Sequence, residues 1–212
     1  MELSARQGSR HDMSDKRSYH HGDLRAQLIE AVRGLVEVHG PDNFSVAEAA
    51  RIAGVSSAAP YKHFADRNDI LRAVVLGGME RMGAQMATAR AAHPKGSLAS
   101  ISAIGRAYID FARREPGVFR IMFGLTAGHK NDPEVMAQGE SKFATVNGAV
   151  ADYLGCSPDA PQAHSRAYML WCFVHGHSFL TIDEKSDPSE MPISEEEFLN
   201  QVGLGILGPK PG

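Results

Sequence analysis

Cysteine is scarce in this chain of 212 residues, which has only Cys156 and Cys172. Two thiols are too few for a disulfide framework and lack zinc-finger spacing, so a reduced, cytoplasmic setting is expected. No signal peptide is visible. Nor is any apolar run long enough to cross a bilayer: residues 167–182 come nearest, but Arg166 precedes them and His175 and His177 interrupt them. No membrane partner is expected. Positive charge is not in excess either. The formal net charge is −3, and up to Arg72 ten Lys or Arg balance ten Asp or Glu, with 12 basic and 15 acidic residues following. The N-terminal third is basic only relative to the rest, short of what a strongly basic nucleic-acid binder shows. A phosphate-cradling glycine loop and a nucleophile elbow are both missing. His175 and His177 point in different directions on a helix, and His20 and His21 lie in a polar leading segment. Neither pair has carboxylate or cysteine partners at ligand spacing. No metal, cofactor or catalytic residue is therefore expected.

What is present is helical periodicity. Hydrophobic residues make up 43% of the chain, ample for a buried core, and they recur at helical spacing without strand alternation. The fold class expected is all-α with about nine helices. Residues 1–18 read as a flexible tail, in which Arg10, Lys16 and Arg17 either follow a DNA backbone or are simply solvated. A first helix is predicted over 23–38. Later helices are predicted over 66–91, 97–114 and from Pro116, then over 133–154, 162–182 and from Ser194 to a stop at Gly208 and Pro209. Residues 124–132, 156–161 and 183–192 read as loops.

Residues 44–71, FSVAEAARIAGVSSAAPYKHFADRNDIL, have the spacing of a helix-turn-helix. Ser45 and Glu48 form a capping-box pattern that predicts a helix over 45–53. Gly54 can supply the left-handed residue of a sharp turn, Val55 can plug the angle, and Ser56 or Ser57 can cap a second helix. On that second helix Ala58 and Ala59 are small enough for close approach to a major groove. Tyr61, Lys62 and His63 offer donors to phosphate oxygens, and Phe64 faces inward. Pro60 falls in the first turn, where its missing N–H costs little.

Gly54, Val55, Ser56, Tyr61 and Phe64 carry a resemblance to the DNA-binding domain of TetR-type transcriptional regulators. There a Gly-Val-Ser turn precedes a short helix ending in Tyr-x-x-Phe. Arg67 stands where the family usually has a phosphate-contacting Lys, and Ala59 where Thr or Ser is common. The resemblance implies a helix-turn-helix domain over 19–72. Its DNA contacts would be Tyr61, His63 and Arg67, then Ser45, Ser57 and Ala58, with Ser56, Ala59 and Lys62 on the same face.

The run Trp171 to Gly176, Trp-x-x-x-His-Gly, and residues 114–123, REPGVFRIMF, resemble a TetR subgroup whose effector domain is named for Trp, His and Gly. That resemblance implies a ligand-binding and dimerisation domain over 73–208, a homodimer through the last two helices and a small-molecule pocket in each protomer. Gly176, Gly203 and Gly205 fit close helix contact. Tyr108, Phe111, Phe119, Met122, Phe123, Trp171, His175 and Phe179 are the pocket candidates, because aromatic and Met side chains make a dry, adaptable lining. Apolar residues at helical spacing are more often plain core, and His175 could equally hydrogen-bond a backbone carbonyl there. The function expected is a repressor that binds a double-stranded, pseudo-palindromic operator and is released by a small-molecule effector, with the helix over 66–91 as the lever. The alternative is a helical interaction or enzyme module without specific DNA binding.

Overall fold

The computed structural model describes residues 24–124, 132–185 and 192–210. The predicted tail, with His20 and His21, lies outside the described residues, as do parts of the loops predicted over 124–132 and 183–192. Eight α-helices and one 3-10 turn make up the described chain, without a strand. They are α1 (Leu24–His39), α2 (Val46–Ile52), the 3-10 turn Pro60–Lys62, α3 (Arg67–Ala91), α4 (Leu98–Arg114), α5 (Pro116–Phe123), α6 (Pro133–Leu154), α7 (Pro161–Ile182) and α8 (Glu195–Leu207).

The helices begin and end where local chemistry dictates. Asp66, Ser97, Asp132 and Ser194 each accept a backbone N–H of the first turn of α3, α4, α6 and α8 with their side chains, removing orphan donors. Helix α1 buries Leu28, Ala31, Val32, Leu35 and Val36, a single stripe at i, i+3, i+4, i+7 and i+8. Against it pack α2, α3 and α5.

At 25 residues, α3 is about 37 Å long from the 1.5 Å rise per residue. It is the axis of the molecule. Its first half buries Ile70, Leu71, Val74 and Val75 beside α1, and its second half carries Met79, Met82 and Met86 toward α4, α5 and α6. Its start is also fixed to α6, because Arg72 donates to Asp132 at 2.5 Å and to Glu134 at 2.5 Å. The glycines of α3 include a packing position. A Cβ on Gly78 would lie 2.6 Å from Val118 Cγ1, so its bareness lets α5 seat against α3.

Two capping expectations fail. Ser45 occupies the N-cap position of α2 but makes no side-chain cap bond, and Glu48 pairs with Arg51 at 3.5 Å. Neither Ser56 nor Ser57 caps a reading α-helix, because the segment after Gly54 forms consecutive turns (Ala59 N to Ser56 O, 3.0 Å) and then the 3-10 turn. Lacking an N–H, Pro60 cannot close the i→i−4 bond to Ser56 that would open a helix capped by Ser56; a helix capped by Ser57 would not need that bond.

Candidate functional site

The reading segment stands at one end of the molecule. Gly54 has φ +71°, the left-handed geometry that the turn demands, and Val55 N–H returns to Ala50 O at 2.9 Å. Phe64 and Pro60 are buried and anchor the segment. The arrangement leaves Ser45, Ser56, Ser57, Ala58, Lys62 and His63 exposed, with Ala59 half-buried, and Tyr61 60% exposed. Donors and small residues therefore share a free surface, as phosphate and groove contact requires.

Arg67 is placed differently from its neighbours. Its guanidinium lies over the Phe44 ring at 4.3 Å and donates to the Pro41 carbonyl, which ties the α1–α2 loop to the start of α3. Arg25 lies over Phe64 at 5.1 Å on the other flank. Both aromatic anchors of the unit thus carry a cation on one face.

A cavity of about 460 Å³ opens among α3, α4, α5, α6, α7 and α8. Of the eight pocket candidates, Tyr108, Met122, Phe123 and Trp171 line it. Phe111, Phe119, His175 and Phe179 do not line it. Phe111 and Phe119 are fully buried core, and His175 and Phe179 stack against Phe119 at 6.0 and 5.2 Å. Sequence reasoning missed Met79, Met82 and Met86 of α3 and Phe143, Val146 and His164 of α6 and α7. The i, i+3, i+7 spacing of the three methionines was the available signal, concealed because such a row reads equally as core.

The Trp-x-x-x-His spacing has a definite geometric role. Trp171 and His175 stand one turn apart on α7 and meet the same hydroxyl. Trp171 Nε1–H donates to Tyr108 Oη at 3.3 Å, and Tyr108 O–H shares a 2.8 Å bond with His175 Nδ1. Burial holds the His175 pKa below its ordinary value, and the tautomer of the neutral ring sets which of the two partners donates. Burial likewise pushes the Tyr108 phenol upward, offset in part by Trp171. The hydroxyl facing the cavity thereby has two protein partners.

The two ends of the molecule meet through α5. Glu37 of α1 accepts from the backbone N–H groups of Gly117 and Val118 at 2.7 and 2.9 Å, at the N-terminus of α5. Beside it Glu115 receives Arg81 of α3 at 2.5 Å and faces Arg33 of α1 at 3.6 Å. A Cβ on Gly117 would lie 2.7 Å from the Val36 carbonyl, so only glycine allows this approach. The other end of α5 carries Met122 and Phe123 into the cavity wall.

Along α7 and α8 an apolar face has no partner among the described residues. Phe173 is 50% exposed and Leu204 49%, with Met169 and Leu180 similar. Gly176 and Gly205 look into open space, whereas Gly203 does not belong to that face: a Cβ there would lie 2.7 Å from Leu98 Cδ1, so it packs within the protomer. Among the described residues no helix is long and apolar enough to cross a membrane, and no cluster of three metal-ligating side chains occurs.

Residues 28–74 match the family described as bacterial regulatory proteins, tetR family, and residues 101–201 match the tetracyclin repressor-like C-terminal domain. No curated protein matches. Among solved structures, a Rhodococcus sp. RHA1 protein of unknown function is 25% identical, with 91% of this chain and 97% of that chain covered at a TM-score of 0.76. A tetR-family transcriptional regulator from Streptomyces coelicolor is 16% identical, covering 87% and 78% at 0.66. The Bacillus subtilis transcriptional regulator FadR, solved in complex with stearoyl-CoA, is 10% identical, covering 86% and 97% at 0.66. With its helix-turn-helix end and its helical C-terminal end both matched, the chain belongs to the TetR family of DNA-binding transcriptional regulators, and it is not an enzyme.

Proposed function

We propose that this regulator is a cytoplasmic, homodimeric repressor that leaves a pseudo-palindromic operator when a small molecule fills the cavity among α3 to α8. The observation that carries this reading is the position of α3. It begins at Arg67 beside the reading segment and ends with Met79, Met82 and Met86 on the cavity wall. A ligand there meets the same rigid element that sets the reading segment. Helix α5 offers a second route, with cavity wall at one end and the Glu37 clasp at the other.

The DNA-binding unit would span 19–72 and the effector unit 73–208, with Tyr61, Lys62 and His63 on phosphate and Ala58 and Ala59 against the groove. Arg67 would act on DNA chiefly through the loop it braces. Two protomers would join through the apolar face of α7 and α8. Such a dimer would bring two reading segments to successive major grooves, about 34 to 36 Å apart. Release requires the ligand to prefer the non-binding arrangement, since equal affinity for both shifts nothing. The test is displacement of the selected operator by ligands that quench or shift Trp171 fluorescence. A ligand that saturates the cavity and leaves operator affinity unchanged contradicts the proposal.

A further inference from the structure

The cavity wall distributes its polar groups unevenly. Deep inside, the Tyr108 hydroxyl is shared between Trp171 and His175, and Ser102 Oγ donates to Asn200 Oδ1 at 2.7 Å. Each of these hydroxyls already has a protein partner and carries no charge. Around them lie thioether, aliphatic and aromatic groups. The remaining polar liners, Glu140, Lys142, His164 and the exposed Tyr168, all stand on α6 and α7.

Of these, Lys142 differs in kind. It is half-buried, and its stem lies across α3 so closely that a Cβ on Gly83 would be 2.5 Å from Lys142 Cδ. Among the described residues its ammonium has one hydrogen-bond partner, the neutral Gln138 Oε1 at 2.8 Å, and no carboxylate. A half-buried ammonium with a neutral partner gains most from an anion brought to it. Glu140 and His164 are exposed, so water screens them.

The geometry points to an amphipathic monocarboxylate as the ligand class, with its apolar tail among the methionines and its carboxylate on Lys142 Nζ at the α3–α6 side. The inference rests on the reading of this cavity as the effector site. Trp171, the single tryptophan of the chain, lines the cavity and reports occupancy.

The test titrates the full-length protein with decanoate, decanol and decylamine, which share a tail and differ in the head, while Trp171 fluorescence is followed. Decanoate is expected to bind roughly tenfold or more tighter than decanol, as a charge-assisted bond implies. In Lys142→Gln that ratio falls to about one. Equal affinities for acid and alcohol, an unchanged ratio in Lys142→Gln, or preference for the amine with dependence on Glu140 would each overturn the carboxylate class. In those cases saturable binding of any probe still supports the cavity as a ligand site. A flat Trp171 signal with no saturable binding of all three would overturn the cavity reading itself.

Discussion

Single side chains divide here into those that hold the protein and those that are free to touch something else. Tyr61 and Lys62 are free, so Lys62→Ala is expected to weaken binding to every DNA sequence alike and to lower the salt slope by about one. Anisotropy titrations over a salt series measure this; a changed sequence preference at constant slope would contradict it. Arg67→Ala should instead lower the melting temperature, because it removes the cation over Phe44 and the bond to Pro41. Tyr108 holds two partners at once. Tyr108→Phe leaves Trp171 Nε1 and His175 Nδ1 unpaired and should cost about 1–3 kcal/mol in denaturant melts. The wild type should also lose stability as pH falls below the ordinary histidine range, about 6.5, since the unfolded His175 takes up a proton that the buried ring resists. The sequence displayed Trp171 and His175 as a pair, but their shared hydroxyl comes from α4, a contact 63 and 67 residues away that no local pattern reveals.

At the scale of elements, stops and starts were the most legible feature. Asp66, Ser97 and Ser194 cap the helices that the sequence starts at those residues, because a cap is a local bond between neighbours. Ser45 and Glu48 show the same pattern and do not form it, and turns with a 3-10 segment stand where a reading α-helix is expected. Cavity membership was half legible. Helical spacing identifies apolar residues but not whether the neighbouring helix fills the space before them, which is why Phe111 and Phe119 are core while Met79 and Met82 are wall. Interhelix ties lay beyond the sequence. Glu195 on α8 is one: His177, then Arg113, hold its carboxyl down at about 2. Its contribution is present above the ordinary value near 4.5 and is lost as pH falls toward 2. Glu195→Gln is therefore expected to melt lower at pH 7 and to lose less on acidification than wild type, which parallel thermal scans from pH 7 to pH 3 will show. An equal acid dependence in both would remove the tie.

The whole molecule is organised as one long helix with a DNA-facing unit at its start and a cavity around its second half. The apolar face on α7 and α8 asks for a second copy, since large exposed patches of this kind mark interfaces. Gly176→Leu isolates that claim. Within the protomer a Cβ at this position meets nothing within 4 Å among the described residues and helix propensity improves by up to ~1 kcal/mol, so dissociation to monomer in light scattering with an unchanged melting temperature of the protomer points to the interface; a fully dimeric variant would place the dimer elsewhere. The central claim is that this pair of reading segments recognises sequence. The most direct measurement is selection of random or genomic DNA fragments by the purified protein at two salt concentrations. The account predicts enrichment of a pseudo-palindrome, with half-sites about one helical turn apart, that survives the higher salt and is lost in Tyr61→Ala, Lys62→Ala. Retention that disappears at the higher salt without any shared motif would mean that the segment holds phosphate and reads no bases, and would contradict it.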